Sequence, residues 1–303
     1  MAERALDIDL DVLRSWQLPK PPADGDKQAR GDVLVVGGSA EIPGAVLLAA
    51  QAALRAGAGR VQVATVQSAA PHLAIALPEA RVIGLDQDAQ GELAADAGRP
   101  LAAELKACRA LVLGPGMRSE NAAARIYLEL TRQPSEATVV LDAAALRLLS
   151  NDGSKTRAAT PLIATPHAGE MATLLGCTRE HVQQNRAMLA LEAARQHDVV
   201  LVLKGAETYI AAPDGRTFRN TAGNPGLATA GSGDTLAGII GGLCARGADA
   251  VQAAVWGVWL HAMAGERLAE KIGHLGYLAR ELAAEVPQLL DLPLRDPLRQ
   301  LKS

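Results

Sequence analysis

Residues 220–243 read NTAGNPGLATAGSGDTLAGIIGGL, a glycine-rich loop that runs into an acid and then into an apolar stretch. The apolar stretch predicts a helix over 233–243, with Ala230, Gly231, Ser232 and Gly233 wrapped around its N-terminus. Unpaired N–H groups of a helix's first turn point outward and the macrodipole adds positive charge, so such an end attracts anions. Phosphate is the natural guest. Gly231, Ser232 and Gly233 form the anion cradle, since residues this small let the backbone come close to a phosphoryl group. Asp234 then projects a carboxylate beside the same spot, where it would repel the anion unless it binds Mg²⁺ or takes a proton from a hydroxyl attacking phosphorus. A helix-terminal acid favoured only by the dipole is the plainer alternative for Asp234 taken alone.

Other residues with chemical potential follow predicted strands, where the ligand crevice of an open parallel sheet lies. They are Gly37-Gly38-Ser39, Gly114-Pro115-Gly116, Asp142, Thr165-Pro166-His167 and Lys204-Gly205. Lys204 sits directly after the apolar run VVLVL and before a glycine, where the backbone can approach a nucleotide; a surface lysine closing a strand is its plainer reading. His167 reads equally as a satisfied loop histidine and Glu170 as a first-turn acid. Asp142 would bind Mg²⁺ or cap the next helix, and the sequence does not separate the two, so no metal ligands are assigned. His261, inside WGVWLHAMAG, reads as a packed helix residue rather than a ligand.

These residues need a frame, and the hydrophobic patterning supplies one. Short β-branched or aliphatic runs predict strands over 32–36, 60–65, 80–85, 109–113, 138–142, 162–165 and 199–203, alternating with helices that include 44–56, 169–175 and 180–196. Such alternation predicts an α/β chain with a mostly parallel central sheet covered by helices on both faces. A hairpin is expected from 208–212 and 217–220 around Pro213-Asp214-Gly215, followed by helices over 250–268 and 279–290. With no repeat and no dividing linker, one domain is expected over 31–290. Residues 1–30 form a peripheral N-terminal extension, with a short helix over 10–18 that ends at Pro19 after which a polar loop runs to Gly31, and 291–303 a C-terminal tail.

Composition narrows the class. The 303 residues are 49% hydrophobic but only 2% aromatic, so the core must be aliphatic, and a net charge of −3 offers nucleic acid or an anionic membrane no bulk attraction. Cys108, Cys177 and Cys244 lack metal-ligand spacing and are expected to be buried thiols in a reducing compartment. No run reaches the ~18 apolar residues of a membrane span, and the acidic N-terminus does not suit a signal peptide, which together predict a cytoplasmic protein.

The stretches GDVLVVGGSAEIPGA, LVLGPGM, VVLDAAAL, TPHAGEMATLLG, VLVLKGAETYIAAPDG and NTAGNPGLATAGSGDTLAGIIGGL occur in this order over 31–243. Together they resemble the ADP- or ATP-dependent NAD(P)H-hydrate dehydratases, which have a ribokinase-like fold. The resemblance covers nearly the whole chain and is closest to the form that lacks an N-terminal epimerase domain. It implies repair of NADH or NADPH hydrated on the nicotinamide ring (the S epimer): the ring hydroxyl is phosphorylated from ADP or ATP with Mg²⁺, and phosphate is then eliminated. It also implies a homo-oligomer, a tetramer by family resemblance, and a separate epimerase as functional partner. By motif position, Ala45, Gly116, His167 and Asp234 would contact the hydrate, with Asp234 as the base. Lys204, Gly205, Ala206, Glu207, Thr208 and Gly233 would contact the adenine nucleotide. As a carboxylate at a helix N-terminus, Asp234 is expected to be a weak base.

The chain departs from the family pattern at Ala230, Ser232, Ala168 and Ala262, where Gly, Thr, Pro and Gly are usual. If the loop needs positive φ at Ala230, alanine there costs on the order of 1 kcal/mol. A small-alcohol kinase of the hydroxymethylpyrimidine or hydroxyethylthiazole type shares the GxGD logic and is the alternative enzyme. A non-catalytic nucleotide-binding protein is the alternative outside catalysis.

Overall fold

The computed structural model describes residues 5–20, 27–132, 134–150 and 160–294. Part of the polar loop expected before Gly31 (21–26) and most of the expected C-terminal tail (295–303) lie outside the described residues.

The strands in chain order are β1 (Leu6–Asp7), β2 (Asp32–Val36), β3 (Arg60–Val66), β4 (Arg81–Leu85), β5 (Ala110–Leu113), β6 (Thr138–Leu141), β7 (Leu162–Ala164), β8 (Val200–Leu203), β9 (Thr208–Ala211) and β10 (Thr217–Asn220). They form one sheet in the order β1-β10-β9-β8-β7-β6-β5-β2-β3-β4. From β8 through β7, β6, β5, β2 and β3 to β4 every pair is parallel, whereas β9 is antiparallel to both β8 and β10. Every residue of β2, β5, β6 and β8 is buried, which is possible only when helices cover both faces. Their Val and Leu runs are therefore continuous rather than alternating.

The helices are α1 (Leu10–Ser15), α2 (Gly44–Arg55), α3 (Ala70–Ala76), α4 (Ala102–Lys106), α5 (Glu120–Leu130), α6 (Ala168–Leu175), α7 (Arg179–Gln184), α8 (Arg186–His197), α9 (Ser232–Ala245), α10 (Ala250–Lys271) and α11 (Ala279–Leu290). The glycine-rich α9 lies across β2, β5 and β6 and packs against α2, α10 and α11. Side chains at Gly238 and Gly242 would strike the backbone of Ala49 and Ala53 in α2. Glycines at this spacing bring the two helices to backbone contact, and that contact sets where α9 begins.

Several expectations change. The helix expected over 180–196 is two helices broken at Asn185, whose φ of −125° leaves the helical range. The stretch AAALRLL after Asp142 is a 3₁₀ helix, Ala143–Leu149. The N-terminal extension is not peripheral over 5–20. Its strand β1 pairs in parallel with β10, Leu13 is fully buried, Trp16 stacks on Phe218, and the Trp16 carbonyl accepts from Trp256 Nε1 at 2.8 Å. Trp256 and Trp259 lie in the core. Cys108 and Cys244 are buried as expected, but Cys177 is only half-buried. Among the described residues, no helix is long and apolar enough to cross a membrane.

Candidate active site

Three adjacent strand ends supply the charged centre. Asp142 follows β6, Thr165 and His167 follow β7, and Lys204 follows β8. Parallel pairing aligns these ends: Lys204 N–H donates to the Pro166 carbonyl at 2.8 Å, and His167 pairs in register with Lys204. The Asp142 carboxylate is 5% exposed, and its Oδ1 accepts from the Lys204 ammonium at 2.9 Å and from the Thr165 hydroxyl at 2.6 Å. Asp142 stands at the start of the 3₁₀ turn but makes no side-chain cap bond, so the capping role left open by the sequence is not the one it plays. The next residue, Ala143, has φ of +47°, a conformation that costs an L residue about 1–2 kcal/mol.

The N-terminus of α9 faces this centre. A Cβ on Gly233 would lie 3.3 Å from Lys204 Nζ and 4.0 Å from Asp142 Oδ2, so the glycine keeps the approach to both groups open. Gly231 is the residue before the helix and carries φ of +88°. Ala230 is not among the residues with positive φ, so the strain expected for alanine at 230 does not arise. One position later, a Cβ would also collide with Leu48. The glycine-rich helix start differs from expectation in one donor: Ser232 N–H is spent on the Thr229 carbonyl at 3.2 Å, and the residue is buried.

Asp234 lies in the first turn of α9. Burial pushes its carboxyl up to about 7, and the Asp142 carboxylate adds to this, while the Lys204 ammonium and the Asp234 main-chain N–H pull the other way. The weak base expected from the helix end is therefore corrected, because burial and a like charge outweigh it. The Lys204 ammonium is opposed by burial, but the carboxylates of Asp142, Glu170 and Asp234 together raise its pKa above the ordinary lysine value.

His167 begins α6 with its imidazole as the cap. Nδ1 accepts from the N–H groups of Gly169 at 3.0 Å and Glu170 at 3.1 Å, and Glu170 Oε2 accepts from His167 N–H at 2.8 Å. A neutral ring used this way carries its proton on Nε2, on a side chain that is 60% exposed. Gly116 and Ala45 are brought together across the β5 and β2 loops. Gly116 has φ of +70°, and a Cβ there would lie 2.8 Å from the Ala45 Cβ and 2.6 Å from the Ile42 carbonyl oxygen.

The segment 204–208 turns from β8 into β9, with Gly205 and Ala206 exposed and Glu207 and Thr208 half-buried. Its conformation depends on Arg186, a residue with no local signal to single it out. One guanidinium nitrogen donates to the carbonyls of Leu203 at 3.0 Å and Glu207 at 2.8 Å, and a side chain at Gly205 would strike this guanidinium. His261, expected to be a packed helix residue, reaches the cradle: Nε2 lies 2.9 Å from Ser232 Oγ. A cavity of about 260 Å³ is lined by residues including Met117, Arg118, Ala143, Arg147, Pro166 and Glu170.

The arrangement is a glycine-flanked helix N-terminus, a half-buried lysine, an acid of raised pKa and a second carboxylate with one oxygen turned toward that helix end. These are the parts of a phosphoryl-transfer site. Among the described residues no group of three or more His, Cys, Asp or Glu forms a metal cage. A cation carried in by nucleotide phosphates needs only one or two carboxylates, and Asp142 Oδ2 fits that role.

A protein family described as NAD(P)H-hydrate dehydratase matches residues 33–288. An ADP-dependent (S)-NAD(P)H-hydrate dehydratase of Xanthomonas campestris is 50% identical over 92% of this chain and 94% of its own. A bifunctional NAD(P)H-hydrate repair enzyme of Moorella thermoacetica is 42% identical over 90% of this chain, which spans about half (52%) of that longer protein. The ADP/ATP-dependent NAD(P)H-hydrate dehydratase of Bacillus subtilis, co-crystallised with ATP and Mg²⁺, superposes with a TM-score of 0.83 at 31% identity, covering 96% of this chain and all of that one.

Proposed function

The chain belongs to the NAD(P)H-hydrate dehydratase family, with the ribokinase-like architecture of its relatives, and from that premise we infer how its site works. It is a nucleotide-dependent dehydratase that returns S-hydrated NADH or NADPH to NAD(P)H. The observation that carries the mechanism is Asp234, an acid of pKa about 7 placed beside an anion cradle.

In our reading the adenine nucleotide lies along 204–208 with its terminal phosphate at Gly231, Ser232 and Gly233. The hydrate enters from the side of Ala45, Gly116 and His167, and its remaining half extends toward the cavity beside Glu170. Asp234 accepts the proton of the ring hydroxyl as its oxygen forms a bond to phosphorus and the P–O bond to the nucleotide breaks, which leaves AMP when ADP is the donor. Lys204 spreads the developing charge. The ring nitrogen's lone pair then expels phosphate from the adjacent carbon. Loss of a proton from the next ring carbon to the departing phosphate or to water re-forms the carbon–carbon double bond and returns the lone pair to nitrogen. Mg²⁺ arriving with the nucleotide would be held by Asp142 and would neutralise phosphate charge. His167, whose Nε2 lies 3.5 Å from Glu170 Oε1, would offer its Nε2–H to the hydrate. ADP as donor is supported by the Xanthomonas relative's name. A homo-oligomer, cytoplasmic residence and a separate epimerase that supplies the S epimer complete the proposal.

The test is the near-ultraviolet absorbance of dihydronicotinamide after purified protein, Mg²⁺ and ADP or ATP are added to hydrated NADH. A nucleotide-dependent rise is expected. No rise with either nucleotide, in protein that binds nucleotide by calorimetry, overturns the assignment in favour of a small-alcohol kinase.

A further inference from the structure

His261 belongs to α10 but its ring ends at the first turn of α9, where Nε2 lies 2.9 Å from Ser232 Oγ and 3.1 Å from the Ser232 carbonyl oxygen. A carbonyl oxygen only accepts, so both contacts are attractive only when Nε2 carries the proton. Burial pushes the imidazole down to about 4, and the nearby Lys204 ammonium adds to this against the Ser232 carbonyl. The ring is therefore neutral near pH 7, with a single proton, and the geometry puts that proton on Nε2.

The state of Ser232 follows. Its oxygen accepts from Nε2–H, and its own hydroxyl proton cannot return to the same nitrogen. Its main-chain N–H is engaged by the Thr229 carbonyl at 3.2 Å, so the hydroxyl is the donor this residue has left to offer an anion. With the other ring tautomer, Ser232 would give its proton to His261 and turn only lone pairs toward a phosphate.

We propose that His261 is a positioning residue that holds the Ser232 hydroxyl as a hydrogen-bond donor to the transferred phosphoryl group, an inference resting on the reading of Gly231–Ser232–Gly233 as the phosphoryl site. The interaction explains why a half-buried histidine stands in an otherwise apolar helix face. It also explains why a hydroxyl residue in the cradle needs a partner behind it, because an unsupported rotor would point its proton in several directions.

The test compares Ser232→Ala, His261→Leu, the double variant and His261→Gln, with ADP titrations by calorimetry and steady-state turnover, after thermal unfolding shows each is folded. Loss of one phosphoryl donor is expected to lower kcat on the order of 100-fold, with KM for the hydrate little changed. The double variant should be no slower than Ser232→Ala, because the histidine acts through the serine. His261→Gln, whose amide nitrogen reaches the Nε2 position, should keep turnover within a few-fold of the parent. Losses that multiply in the double variant overturn the proposal, as does His261→Leu with parental kcat and only a lower Tm. Failure of the underlying reading is distinguishable: the parent protein would then show no nucleotide-dependent turnover at all.

Discussion

The Lys204 ammonium binds Asp142 through one carboxylate oxygen only, at 2.9 Å, and shares that oxygen with the Thr165 hydroxyl. The second oxygen is left facing Gly233 and the start of α9. One ion pair thus fixes a carboxylate that would otherwise swing and keeps a positive charge near Asp234, whose proton affinity it lowers.

Replacing Lys204 by methionine should therefore act twice. Leaving Asp142 buried without its partner should cost about 3–5 kcal/mol of stability near neutral pH, read as a lower Tm. In whatever folded protein remains, Asp234 loses the one positive charge that favours its ionisation, so the acid limb of kcat/KM should move to higher pH. An unchanged acid limb would separate Lys204 from Asp234.

Asp234→Asn should abolish turnover while ADP still binds. In metal-free buffer it should also stabilise the protein, in a pH-dependent way. The folded-state pKa of about 7 lies above the ordinary 3.8, so the folded state holds the proton more tightly. Stability is then full below pH about 4 and falls as pH rises through the window to about 7. The variant removes that loss, so its Tm should exceed the parent's at pH 8 and approach it only near pH 4. Equal differences at both pH values would mean that Asp234 ionises freely.

Acid should weaken the fold through His261. Its folded pKa of about 4 lies below the ordinary 6.5, so its contribution is complete above pH 6.5 and is lost as pH falls toward 4. His261→Gln should flatten the decline in Tm over that interval.

Arg186 supports the loop that turns from β8 into β9 and should be a nucleotide-affinity residue. Arg186→Met strips the donors from the Leu203 and Glu207 carbonyls, an effect of about 1–3 kcal/mol if they remain dry. KM for ADP should rise by ten-fold or so with kcat less affected, whereas a fall in kcat at unchanged KM would place its role elsewhere.

The fully buried Leu13 tests whether residues 5–20 are part of the folded unit. Leu13→Ala should cost about 2–5 kcal/mol, seen as a single cooperative transition at lower Tm. A variant with the parent's Tm would mean that the segment docks without contributing to stability.

The primary structure determined the strands, because short β-branched and leucine runs closed by glycine or proline and alternating with longer helical stretches leave a local pattern. It also determined where α9 begins, since Gly231 and Gly233 before an apolar run need only neighbouring residues to be recognised. The hairpin around Pro213-Asp214-Gly215 was legible for the same local reason. Only the tertiary structure joined Asp142 to Lys204, 62 residues apart, because strand order and not sequence distance makes their ends neighbours. It alone raised Asp234, whose helix-end position argues for a low pKa until burial and Asp142 are counted. The two-residue β1 has too short a pattern to read and exists only because β10 offers it an edge. Arg186 and His261 look like any arginine at a helix start and any histidine in an apolar helix until the turn from β8 into β9 and the first turn of α9 are placed against them.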